Sequence, residues 1–150
     1  MLKFIALFCL AGVAVAQSSM QVHVLRLKPG QDVMKEIFNF VTVHKIEAYS
    51  VVSAVGSLTE AQLRFANKKE ASKLTGPLEI VSLSGTGGMA GSHLHLAVSD
   101  GEGRTTGGHL VEGSKVYTTL ELVLGVYPEL SFKRTLDPAS GYNELDVKKK

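Results

Sequence analysis

The sequence predicts an α+β fold, a largely antiparallel β-sheet with one main helix packed on it. Three observations predict it. Apolar and polar residues alternate over many short stretches, one stretch alone repeats its apolar residues every three or four positions, and Gly, Pro, Asn and Asp mark the joins. With 150 residues, 45% hydrophobic and 20% charged, the chain has the composition of a single globular domain with one core.

The first strand is expected over Met20–Lys28, where the alternation is clean until Pro29-Gly30 ends it. The helix follows from Gln31 to about Glu47, with Val33, Ile37, Phe40, Val41 and His44 on one face and Asp32 in its first turn. Further strands are expected at Tyr49–Ser57, Leu58–Ala66, Leu78–Gly85, Ser92–Ser99, Thr105–Glu112, Lys115–Tyr127 and Ser131–Leu136. The polar stretch Asn67–Pro77 separates two of them, and Asp137–Gly141 is a turn by composition. Strands that outnumber helices and join by short connections pair mostly antiparallel, with the helix covering one face.

Ahead of this domain, residues 1–16 have the form of a secretory signal peptide: Lys3, an apolar stretch of about a dozen residues, then Ala14-Val15-Ala16. The domain map is therefore a signal peptide at 1–16, a polar lead at 17–19, the domain at 20–147 and a basic tail at 148–150. The apolar stretch is short for a bilayer, so no transmembrane segment is expected after cleavage, and the destination is secretory. A buried N-terminal strand, or translation from Met20 with a cytoplasmic or nuclear protein, is the competing reading. Cleavage removes Lys3 and Cys9, leaving 15 basic against 14 acidic residues and no cysteine. A near-neutral domain argues against direct nucleic-acid binding, which needs a clustered basic surface.

The most informative chemistry is a histidine set. In Gly91–Ser99, alternation sends His93, His95 and Ala97 to one face of a strand and Leu94, Leu96 and Val98 to the other. If Gly101–Gly103 form a three-residue hairpin loop, with Gly103 in the left-handed position, Asp100 pairs with Arg104. Paired numbers then sum to 204, so His95 faces His109, and His93 lies one same-face step away. Cross-strand Cβ atoms stand about 5 Å apart, a span two imidazoles bridge through one ion at roughly 2 Å from each nitrogen. Three neutral imidazoles leave a fourth position for water or substrate, which is the pattern of a catalytic zinc site; nickel, iron and copper are the alternatives. Against this stands chance: His-x-His occurs on exposed strands, and Gly107-Gly108 can simply make room for a neighbouring chain. His23 and His44 read as structural.

Arg64, Glu79, Glu112 and Glu121 are charges in apolar settings. A carboxylate near a metal could move protons, while the commoner fate of such residues is a half-exposed strand surface. No phosphate-binding loop, nucleophile elbow or cysteine nucleophile occurs in the sequence.

Leu78–Gly85, Ser92–Asp100 and Gly107–Gly113, with Val55–Leu58, Ala61–Phe65, Val116–Leu124, Phe132–Arg134 and Gly141–Leu145, together resemble a stand-alone plant-and-prokaryote-conserved (PPC) domain over Met20–Val147. The resemblance implies an α+β homotrimer whose prokaryotic-type members carry the three histidines as a metal site. In land plants similar domains sit beside AT-hooks in nuclear DNA-binding proteins, serving assembly and partner binding; this chain has no Arg-Gly-Arg-Pro hook. The architecture is also similar to acetolactate decarboxylase, a zinc lyase with a His-x-His and later Gly-Gly-His pattern, although the gap between second and third histidines differs. That likeness implies a metal-dependent lyase or hydrolase on a small carbonyl compound, with Glu79 or Arg64 assisting. The alternative is a non-enzymatic assembly or regulatory module that binds protein or DNA partners.

Overall fold

The computed structural model describes residues 18–150. The expected signal peptide at 1–16, with Cys9, lies outside the described residues. Eight strands and one helix follow in the order β1 (Gln21–Leu27), α1 (Val33–Val43), β2 (Tyr49–Arg64), β3 (Ser72–Gly88), β4 (Gly91–Ser99), β5 (Thr105–Leu110), β6 (Lys115–Val126), β7 (Leu130–Leu136) and β8 (Asn143–Lys149). Six strands form one antiparallel sheet in the order β1-β6-β2-β3-β4-β5, and β7 and β8 pair separately.

α1 begins one residue after Asp32, whose carboxylate caps the helix by accepting the Lys35 backbone N–H at 3.2 Å. The same buried carboxylate accepts the Gly113 N–H at 2.7 Å and meets Lys115 Nζ at 3.3 Å. One aspartate therefore ties the helix start to the β5–β6 turn. The helix ends at Val43, four residues before the periodicity suggests, because Lys45 takes a left-handed φ of 53° that no helix can continue. His44 is consequently an exposed C-cap resting on Phe40, not a member of the buried face. His23 is half-buried with its ring against Phe40, centroids 5.4 Å apart, which is a packing role.

Val33, Ile37 and Val41 of α1 pack into one core with Leu58 and Leu63 of β2, Leu94, Leu96 and Val98 of β4, and Leu120, Leu122 and Leu124 of β6. Each such side chain contributes about 1.5–3 kcal/mol by leaving water. On the other side of the sheet, Val22 and Val24 of β1, Val52 and Val55 of β2 and Tyr117 of β6 remain exposed, Val24 to 75%.

Three differences from the sequence reading bear on the site. β2 is one long strand rather than two, carried past Gly56-Ser57 by register shifts against β6. β3 starts at Ser72, inside the stretch read as a loop. Asn143–Lys149 forms β8, so Lys148 and Lys149 belong to a strand. No helix among the described residues is long and apolar enough to cross a membrane.

Candidate metal centre

The site stands on the β4–β5 hairpin. Leu94, Leu96 and Val98 point into the core and are buried, which forces His93 and His95 onto the opposite face. At the turn Gly103 has a φ of +79°, the Asp100 N–H donates to the Arg104 carbonyl at 3.0 Å, and Arg104 Nε donates to Asp100 Oδ2 at 2.9 Å. That guanidinium, above all, holds the Asp100 carboxyl below the usual carboxylate range. The resulting register pairs His95 with His109, Ala97 with Gly107 and Ser99 with Thr105, as the hairpin arithmetic predicts.

Two glycines let backbones close around the histidines. Gly85, at φ +135°, lies against His93, where a Cβ would stand 2.0 Å from the His93 carbonyl oxygen. At Gly108 a Cβ would stand 2.9 Å from the Arg64 carbonyl, so this glycine makes room for β2. β2 thereby pairs with β5 as well as β3, setting Leu63 opposite Leu110 and Arg64 opposite His109.

His93 Nε2, His95 Nε2 and His109 Nδ1 converge on one point, with separations of 3.0 Å (His93–His109), 3.1 Å (His95–His109) and 3.2 Å (His95–His93). An ion about 2.0–2.1 Å from each nitrogen in tetrahedral geometry would space them about 3.3 Å apart. The triangle fits such an ion to within a few tenths of an ångström. His93 and His95 are exposed and His109 is half-buried, so water can reach the three nitrogens, and an ion at their centre would accept all three lone pairs at once. Burial first, then His95 and Arg134, holds His93 below the ordinary imidazole range, and burial followed by Arg64 does the same for His109. Both effects favour the neutral, ligating form.

A cleft of about 810 Å³ opens beside His93 and His109, lined also by Arg64, Asn67, Lys68, Lys69, Tyr142 and Glu144. Of the two assisting residues the sequence suggests, the structure brings Arg64 into this cleft but not Glu79. Glu79 pairs with Ser57 and Ser99, whereas His95 pairs with Ser84 five residues further along β3, about 17 Å at the rise of a strand. Glu112 is exposed, 3.8 Å from Lys35, and lines a smaller neighbouring cleft with Arg64, His93 and His109, whereas Glu121 pairs with Arg26 and Val55 away from the histidines. The carboxylate that lines the cleft is Glu144 on β8, which sequence reading misses together with Tyr142. Arg134 on β7 is a further neighbour, donating to Thr86 Oγ1 at 3.1 Å, and Thr86 pairs with His93.

Residues 14–128 match the model of the Plants and Prokaryotes Conserved (PCC) domain. The chain belongs to this family. The fold of this PCC domain is shared with a hypothetical protein of Salmonella enterica, at a TM-score of 0.88 and 42% identity over 90% of this chain and 98% of that one. A metal-containing protein of Archaeoglobus fulgidus is similar at a TM-score of 0.74 and 27% identity, over 89% and 99% of the two chains. A Synechococcus protein named bifunctional protein GlmU is 49% identical over 131 residues, 87% of this chain and 21% of that protein. The Arabidopsis thaliana AT-hook motif nuclear-localized protein 14 is 32% identical over 115 residues, 70% of this chain and 27% of its own length. The chain thus spans about a fifth to a quarter of the curated relatives it matches.

Proposed function

We propose that this PCC domain holds one divalent transition-metal ion, zinc in the first place, on His93, His95 and His109, and acts on a small carbonyl-containing molecule in the adjoining cleft as a lyase or hydrolase. The observation that carries the reading is the convergence of three ring nitrogens within 3.0–3.2 Å. The description of the Archaeoglobus relative as metal-containing supports it. When bound, such an ion supplies a Lewis acid that polarises a carbonyl oxygen or acidifies a water. The chain's own residues do the rest: Arg64 orients an electron-rich group beside His109, and Glu144, across the cleft, accepts or returns a proton. Glu144 fills the role the sequence suggests for Glu79.

We also propose a homotrimer, with sites close to a subunit boundary. The exposed apolar side of β1, β2 and β6 supports association, since an uncovered face of this kind marks an interaction surface. Light scattering should give a three-chain mass; a single-chain mass contradicts the trimer. Export is the proposal for the leading residues, and sequencing the mature N-terminus should begin at Gln17.

The metal reading is tested by metal analysis of purified protein. One ion per chain is expected in the native protein, and loss of it in His93→Ala and His109→Ala. Equal, substoichiometric metal in all three contradicts it. A second reading, an assembly or regulatory module that contacts DNA, is favoured by the 32% identity to the AT-hook protein. It predicts duplex DNA binding that falls steeply with added salt; no binding at low salt removes it.

A further inference from the structure

The cleft beside the histidines is charged asymmetrically. The end of β2 and the turn after it contribute Arg64, Lys68 and Lys69 to the lining, and β8 contributes Glu144, the single acidic lining residue. Arg64 is held in place twice. Its backbone pairs with His109, and its Nη1 donates to the Lys68 carbonyl at 3.4 Å, so the guanidinium is folded along the turn that carries both lysines. The turn is itself bent by Asn67 at φ 58° and closed by the Lys68 N–H donating to the Phe65 carbonyl at 3.1 Å. No acidic side chain forms an ion pair with Arg64, Lys68 or Lys69 among the described residues. Three unneutralised cations therefore border an open space next to the three imidazoles, with one carboxylate in the same lining.

Surface lysines alone would be unremarkable, because most are solvated and unpaired. Their number against one acid, the anchoring of Arg64 and the adjacency to the histidines together make the cleft a place where an anion is preferred over its neutral counterpart. A guanidinium presents a planar fork suited to oxyanions, and ammonium groups add point charge without geometric demand.

We infer that the cleft binds a small molecule with an oxyanion head, a carboxylate or a phosphate, which Arg64, Lys68 and Lys69 hold while the rest of the molecule reaches the histidine centre. This deepens the metal reading above by naming the substrate class, and it rests on that reading only for what lies at the histidine end. The oxyanion head sets affinity and orientation. Tyr142 and Glu144 line the same cleft, where Glu144 disfavours a second negative charge.

The test uses the zinc-loaded protein and three probes in calorimetric titrations at low ionic strength. Glycolate carries a carboxylate, methyl phosphate a phosphate, and glycolamide is the neutral isostere of glycolate. At least one anion should bind about tenfold more tightly than glycolamide, and Arg64→Gln or the paired Lys68→Gln, Lys69→Gln change should remove most of that preference. Zinc content should remain at one per chain in these variants, since none of the three is a ligand. Whichever anion binds more tightly identifies the head. Glycolamide binding as well as both anions, no saturable binding of either anion, or an anion preference unchanged in Arg64→Gln overturns the inference. Failure of the metal reading is seen separately, as absent stoichiometric zinc; the inference then stands if metal-free protein keeps the anion preference and loses it in Arg64→Gln.

Discussion

Two hairpins meet at the candidate site and are built differently. The β4–β5 hairpin is half core: Leu94, Leu96, Val98 and Leu110 are buried beneath it, and it pairs with β3 on one side and β2 on the other. The β7–β8 hairpin forms its own two-stranded sheet, anchored at one end by Leu130 and Phe132 against Ala48, while nearly every residue of β8 is exposed. The first positions three imidazoles to within a few tenths of an ångström; the second adds Tyr142 and Glu144 to the cleft. The contrast teaches where precision is needed. Ligands for one ion tolerate little error and are set on a packed strand pair, whereas groups that select a ligand can stand on a wall with little burial of its own.

The largest effect should come from the core side of the first hairpin. Leu96→Ala removes a fully buried side chain and should cost about 2–5 kcal/mol in denaturant unfolding. A loss within a few tenths of a kcal/mol would mean that the hairpin is not seated on the core. Next comes Gly85→Ala, where the left-handed φ and the 2.0 Å approach to the His93 carbonyl leave no room for a methyl group. Strain of about 1–3 kcal/mol is expected, with weaker zinc binding because His93 is displaced. Smaller still, ending the chain after Leu136 deletes β8 and should lower stability by about 1–2 kcal/mol. That truncated protein should keep one zinc per chain and the preference for anions, and lose the discrimination against a second negative charge that Glu144 supplies; loss of the metal would erase the distinction between the hairpins.

The histidine centre is legible in the sequence because its determinants are local. Alternation over Gly91–Ser99 fixes the faces, and the Asp100–Arg104 turn fixes the register that sets His109 opposite His95. Arg64 is legible only as an oddity, a charge between apolar neighbours, since its place depends on β2 meeting β5 across 45 residues of chain. The signal for that meeting is Gly108, whose missing side chain admits the Arg64 carbonyl. Glu79 shows the converse: an apolar setting marks a strand residue but not which end of the strand holds the site. β8 escapes because Asn143–Val147 carries only Leu145 and Val147 as alternating apolar residues between charges, and Lys148–Lys150 read as a basic tail rather than as the end of a strand. The helix end is hidden for a similar reason, since the apolar pattern continues past Val43 while the backbone turns at Lys45.

The most direct test of the central claim is X-ray absorption spectroscopy of the zinc-loaded protein beside His95→Ala. Three imidazole nitrogens at about 2.0–2.1 Å, with an additional light-atom ligand, are expected in the native protein, and fewer imidazoles or no bound zinc in the variant. A native spectrum without imidazole scattering, or one that His95→Ala leaves unchanged, would contradict the assignment of His93, His95 and His109 as one metal centre.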